Sequence, residues 1–210
     1  MMHIYAFGSI CRGDISPESD IDLLALVQGR DSRLNQDKFS IYSYQRIAEL
    51  WEVGNAFAWH LALESRLIHS EDGRDFLAEL GDPASYEAGP TDCARFRDIF
   101  QSSLAAVEAG SPSLVFELST IFLALRNLGT CFSLAKLERP TFGRDSARRL
   151  GRYSLNISEE IYMLLMRSRL LSTRGTGEDI GNIDRKALLS ELARCQDWVV
   201  SICREVKAGG

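Results

Sequence analysis

Apolar residues along the first seventy positions come in short runs rather than long helical stripes. His3 to Phe7 (H-I-Y-A-F) is β-branched and aromatic and stops at Gly8, which predicts a short buried strand. Ile21 to Val27 (I-D-L-L-A-L-V) is almost continuously apolar, the pattern of a strand covered on both faces. Phe39 to Tyr44 (F-S-I-Y-S-Y) predicts a third strand and residues 66–69 a short fourth one. Between these last two, Ile47, Leu50 and Trp51 fall on one helical face over 44–53, with Gly54 as the stop, and a second helix is expected over 57–64.

The texture changes after the turn at Ser70-Glu71-Asp72-Gly73. Gly81-Asp82-Pro83 and Gly89-Pro90 punctuate a connector. Beyond it the periodicity is helical, with helices expected over about 92–109, 113–136, 145–153, 158–173 and 184–206. In the second of these, Phe116, Ile121, Phe122, Leu125, Leu128 and Phe132 form an apolar face that reads as core. The predicted class is α+β: a small mixed-sheet module over residues 1–88 followed by an α-helical bundle over 89–210, packed together around a cleft.

Composition narrows the partners. The 210 residues are 45% hydrophobic and 25% charged, ordinary for a globular chain. Lys and Arg number 24 against 29 Asp and Glu, a formal charge of −5, and no basic tail or block occurs. A long nucleic-acid duplex is therefore not an expected partner, since such binding rests on neutralising phosphates. No apolar run reaches ~18 residues and no signal peptide is recognisable, so no membrane association is expected. The five cysteines are scattered, without a C-x-x-C pair, and read as reduced thiols of a cytoplasmic protein.

The chemistry concentrates in Gly8 to Asp22 (G-S-I-C-R-G-D-I-S-P-E-S-D-I-D). Residues two apart on a strand point to the same side, so Asp20 and Asp22 present two carboxylates together. Like charges that close oppose each other unless a cation sits between them. Hard oxygen ligands suit Mg²⁺ (or Mn²⁺), which binds through one or two carboxylates plus substrate phosphates. Gly8 lets backbone approach a phosphate, and Ser9 offers a hydroxyl and an N–H, aided by the helix dipole if a helix starts there. Arg12 either touches phosphate or braces the turn through Asp14 or Glu18.

A strand ending in Gly-Ser, then Arg-Gly, then Ser-Asp-x-Asp opening an apolar strand resembles the signature of the polymerase-β-like nucleotidyltransferases. It is most similar to the minimal nucleotidyltransferases that carry a C-terminal helical domain. The resemblance implies a nucleoside triphosphate as substrate, with Gly8, Ser9, Arg12 and Ser19 binding the nucleotide and Asp20 and Asp22 as catalytic metal ligands. It also implies transfer of a nucleoside monophosphate to an acceptor hydroxyl on a protein, an oligonucleotide or a small molecule. A toxin–antitoxin or phage-defence setting, with a homo-oligomer or partner protein, belongs to the same analogy.

Two features depart from that pattern. The family usually takes a third carboxylate from a neighbouring strand, and F-S-I-Y-S-Y puts Ser40 there. Asp37 or Glu64 is the candidate substitute; otherwise the acceptor loses its proton without a protein base, or the chain is a catalytically degenerate nucleotide-binding antitoxin or partner protein. The chain also lacks the helix that often precedes the first strand. His60 and Glu64 lie i, i+4 on the second helix and read as a half-buried histidine capped by its neighbour, with a polar pair lining the cleft as the alternative. Arg148, Arg149, Arg152, Arg167, Arg169 and Arg174 read as a solvated, dipole-complementing set, with an electropositive wall as the alternative. The helical part contains no histidine, so it lacks the Arg-x-His type motif of HEPN ribonucleases.

Overall fold

The computed structural model describes residues 1–14, 21–29, 31–175, 180, 181 and 183–208, the side chain of Arg174 excepted. The chain divides into two compact units, Met1–Glu87 and Ala88–Gly210.

In the first unit the strands are β1 (Met2–Phe7), β2 (Asp22–Val27), β3 (Phe39–Ser43) and β4 (Ser65–Ser70). They form one mixed sheet in the order β3-β2-β1-β4. β1 is antiparallel to both neighbours, and β2 and β3 run parallel. Leu24, Ala25 and Leu26 have no exposure, as the continuous apolar run predicts for a strand covered on both faces. α1 (Ser9–Arg12) is a single turn, and α2 (Tyr44–Glu52) and α3 (Ala56–Glu64) follow β3. Ser43 caps α2 by accepting from the Arg46 N–H, and Asn55 caps α3 by accepting from the Phe57 N–H. A short helix that the apolar periodicity is too brief to reveal, α4 (Phe76–Glu79), starts on the Asp75 cap.

The unit's core joins Tyr5, Phe7, Leu24 and Leu26 from the sheet to Ile47, Leu50, Trp51 and Leu61 from the helices. Two polar side chains buried with it, His3 and Tyr5, are paired. His3 Nδ1 lies 2.7 Å from the Tyr44 hydroxyl, and Nε2 lies 3.1 Å from both the Arg74 carbonyl and Asp72. Tyr5 donates to Asp75 at 3.0 Å and accepts from the Leu77 N–H at 3.1 Å. Burial pushes the Tyr44 phenol up to about 12.

The second unit holds α5 (Gly89–Glu108), α6 (Leu114–Lys136), α7 (Glu159–Arg174) and α8 (Arg185–Lys207). α6 packs against the other three. By length and composition it is apolar enough to cross a membrane, yet 61% of its apolar window is buried inside the protein, as befits the central helix of a bundle. Ile121, Phe122, Leu125, Leu128 and Phe132 are buried as expected, but Phe116 is 58% exposed, because it stands about 160° round the helix from Phe132. The helix expected over 145–153 is instead two 3₁₀ turns, Ser146–Arg148 and Gly151–Tyr153. The first of these lies so close to α6 that a side chain on Gly129 would reach within 2.5 Å of the Ala147 nitrogen. Close packing on the backbone there holds a tight turn rather than a continuous helix.

All five cysteines are free; Cys93, Cys131, Cys195 and Cys203 are buried and Cys11 is half-buried. Burial pushes the Cys195 thiol up to about 12. Iodoacetamide at neutral pH should therefore modify at most Cys11 in the native protein and all five cysteines after denaturation, read by mass spectrometry. A second label on the native protein would contradict this packing.

Candidate active site

β1 stops at Phe7 because Gly8 turns the chain with φ +75° and ψ −136°, a conformation that side chains other than glycine's strongly resist. The single turn of α1 follows. Cys11 donates its N–H to the Gly8 carbonyl at 3.0 Å, and Asp14 donates to Ser9 at 3.0 Å. Gly13, in the left-handed region at φ +80°, closes the turn. A helix of one turn carries little dipole, so its contribution to phosphate binding is correspondingly small.

The register brings the acidic residues to this turn. Phe7 is the partner of Asp22 on one side and of Ser65 on the other. Gly8 therefore lies between the first residue of β2 and the residue that opens β4. A Cβ on Gly8 would stand 2.9 Å from Asp22 Oδ2 and 3.9 Å from His60 Cε1. The absent side chain is what gives the Asp22 carboxylate its room above the end of β1. On the opposite side, the Gly8 N–H donates to the Glu64 carbonyl at 3.1 Å.

Glu64 ends α3, 13% exposed, with its carboxylate turned into the same corner. Its Oε2 accepts from Arg12 Nη1 and lies 3.0 Å from His60 Nε2. Arg12 also donates from Nε to Asp14 Oδ2 at 2.9 Å. Burial alone would weaken the Arg12 cation, but the bonds to Asp14 and the charge of Glu64 outweigh it and raise its pKa. Of the two readings of Arg12, the brace through Asp14 is present, and Glu64 is a second partner that sequence spacing did not reveal. His60 and Glu64 do form the half-buried i, i+4 pair, and Arg12 makes it a triad.

Ser40 is the register partner of Leu24 on the edge strand β3. Cross-strand partners share a face, so Ser40 lies on the same side of the sheet as Asp22, where a third acid from β3 would stand. Asp37 is exposed in the loop before β3, its N–H bonded to Asn35 at 2.8 Å. Ser19, Asp20 and Glu18 lie outside the described residues. Among the described residues no group of three His, Cys, Asp or Glu side chains could hold a metal ion, and the exposed Asp22 carboxylate beside Gly8 is a single hard oxygen donor of the kind a divalent cation takes.

The arginines of the second unit are largely engaged nearby. Arg148 pairs with Glu159 and stacks on the Tyr162 ring at 4.7 Å, Arg149 pairs with Asp145, and Arg152 donates to the Tyr153 hydroxyl at 2.7 Å. Arg169 is partly buried, and desolvation lowers its pKa.

The nucleotidyltransferase domain family matches residues 3–105, a stretch that runs past Glu87 into α5. No curated protein matches the chain. Among solved structures, the spectinomycin adenyltransferase AAD(9) from Enterococcus faecialis, crystallised with ATP and spectinomycin, is similar at a TM-score of 0.47 and 11% identity, over 98% of this chain and 91% of that one.

Proposed function

The chain belongs through residues 3–105 to the nucleotidyltransferase domain family of the polymerase-β-like superfamily, and on that premise we propose that it transfers a nucleoside monophosphate from a nucleoside triphosphate to an acceptor hydroxyl with Mg²⁺ or Mn²⁺. The observation that carries this reading is the Asp22 carboxylate, its Oδ2 2.9 Å from where a Cβ on Gly8 would stand, with the Glu64 carboxylate held to Arg12 of the turn that follows Gly8.

Gly8, Ser9 and Ser19 cradle the triphosphate, Asp20 and Asp22 hold the metal, and Arg12 fixes the turn that carries them. Bound there, the metal neutralises charge on the phosphates and acidifies the acceptor hydroxyl. Glu64 is the third carboxylate in this reading. It lends an oxygen to the metal and takes the acceptor's proton as the new O–Pα bond forms, the Pα–O bond to the β-phosphate breaks, and pyrophosphate leaves. The acid thus comes from the α3–β4 junction, on the far side of β1, in place of the β3 position that Ser40 fills. The acceptor is a protein, an oligonucleotide or a small molecule. A cytoplasmic toxin–antitoxin or phage-defence setting, acting with a partner protein or a second copy, rests on the resemblance to the minimal group alone.

Ser40 favours a second reading, a nucleotide-binding partner protein without turnover. Incubation of the protein with each α-³²P-labelled triphosphate and Mg²⁺ or Mn²⁺, alone and with oligonucleotide, protein and aminocyclitol acceptors, separates the two. Label transfer with pyrophosphate release is expected, falling about 10²–10⁴-fold in Glu64→Gln, the range for losing a general base. Triphosphate binding with no transfer to any acceptor or to the protein itself would favour the second reading.

A further inference from the structure

The second unit carries an open groove of about 800 Å³ between α5 and α6. The two helices form a hairpin: residues 109–113 join them, and Ser111 donates its N–H to the Ala106 carbonyl at 2.9 Å. The start of α6 therefore lies beside the end of α5. The floor of the groove is low, because Ala94, Ser102, Ser103 and Ala106 follow one another along α5. Ser103 is only 5% exposed, and among the described residues nothing bonds its hydroxyl. A hydroxyl buried to that degree ordinarily has a partner.

Phe116 lines the same groove at the α6 end and stays 58% exposed. An exposed ring beside a trough of small residues is a knob next to a hole. Opposite charges mark the two ends. Glu117 stands at the Phe116 end, and its described contact is a long bond of 3.5 Å from the Ser111 hydroxyl. Arg95 stands at the other end, eleven residues and about 16 Å of helix before Ala106. Its described contact is the Phe96 ring, with the guanidinium 5.9 Å from the centroid. Between them Asp98 is already paired with Arg97 at 2.7 Å. Among the described residues no ion pair engages Arg95 or Glu117.

The order of these features is self-complementary. A two-fold axis over the middle of α5 lays the helices of two copies antiparallel. Phe116 of each copy then lies over Ala94 of the other, and Arg95 of each meets Glu117 of the other. Ser102 and Ser103, near the axis, let the two backbones approach and give the Ser103 hydroxyl a surface to bond. A parallel arrangement would set like charges together. The groove thus matches a second copy of this chain, whose α5–α6 hairpin supplies the same ring and the opposite charge at each end. We propose that this groove is the interface of a symmetric homodimer, in which Phe116 packs into the small-residue trough and Arg95 pairs with Glu117 across the two-fold. It stands independently of the transferase reading.

Sedimentation velocity of the full chain at about 1–100 µM and low salt tests this. The 23.5 kDa chain should sediment as a dimer at the upper concentrations. Arg95→Glu and Glu117→Arg should each weaken dimerisation about tenfold or more, since symmetry repeats the lost pair and like charges now oppose. The double variant Arg95→Glu/Glu117→Arg should return to within about threefold of wild type, a recovery that misfolding cannot produce. Phe116→Asp should be monomeric with an unchanged melting temperature. A wild-type chain that stays monomeric at every concentration leaves the groove to some other partner and overturns the proposal. A dimer that ignores the charge reversals, or that the double variant does not restore, forms through another face and overturns it as well.

Discussion

Asp22→Asn is expected to cut nucleotide transfer by about 10³-fold, equivalent to losing about 4 kcal/mol of charge stabilisation at the reacting phosphate. The substitution conserves shape and removes one negative charge. Asp22 is exposed at the start of β2, so its amide analogue should fold normally, with a melting temperature within about 2 °C of wild type. The position beside Gly8 explains why the effect on rate is large although the effect on stability is small. Asp22 Oδ2 lies 2.9 Å from where a Cβ on Gly8 would stand, at the turn to which the proposed function assigns the triphosphate and its cation. Initial rates of pyrophosphate release, with thermal melts on the same preparations, measure both. A rate within tenfold of wild type would remove Asp22 from the metal site.

Gly54→Ala carries the largest expected effect on stability, a loss of about 3 kcal/mol or more, read from the midpoint of urea unfolding at unchanged slope. Gly54 joins α2 to α3 at φ +60°, which alone disfavours an L side chain by about 1–2 kcal/mol. Its Cβ would also stand 2.2 Å from the Ala84 carbonyl oxygen and 2.3 Å from that of Ser85. That backbone is pinned. Ala84 donates its N–H to the Trp51 carbonyl at 3.0 Å and accepts from Trp59 Nε1 at 3.0 Å, while Trp51 Nε1 donates to the Gly81 carbonyl at 2.9 Å. Relieving the clash means giving up these bonds or moving α3, and α3 carries His60 and Glu64. The variant should therefore lose transfer activity along with stability, and a loss under about 1 kcal/mol would show that the 84–85 segment yields freely.

Much of this was readable from residues alone. Strands and helices follow from the β-branched and aromatic run H-I-Y-A-F, the almost continuously apolar run I-D-L-L-A-L-V and the long periodic stretches after Pro90, because burial of apolar side chains dictates each pattern. The segment 145–153 misleads because the tight approach of Ala147 to Gly129 is a tertiary fact. Phe116 misleads because, sixteen residues before Phe132, it stands about 160° round α6 from it, on the opposite face, where it is exposed. At the site, Gly8, Ser9 and Asp22 are local and legible. The setting of Glu64 is not, because sequence carries no record that β4 flanks β1 opposite β2. Spacing from a familiar pattern points to β3 and Ser40; only the strand order β3-β2-β1-β4 brings an acid to the other flank.

That strand order also divides the corner by how each half is assembled. The Gly8 turn and Asp22 come from β1 and β2, antiparallel neighbours consecutive along the chain. Glu64 arrives only after β3, α2 and α3 have been laid down and β4 has zipped onto the opposite edge of β1. Low-contact-order pieces form readily, whereas long-range strand pairing must first meet its chain-closure entropy. On the proposed reading, the triphosphate cradle therefore belongs to adjacent strands, and the acid is conditional on the whole first unit being complete. On the same reading, a nascent or damaged chain with β4 undocked would hold a triphosphate without turning it over.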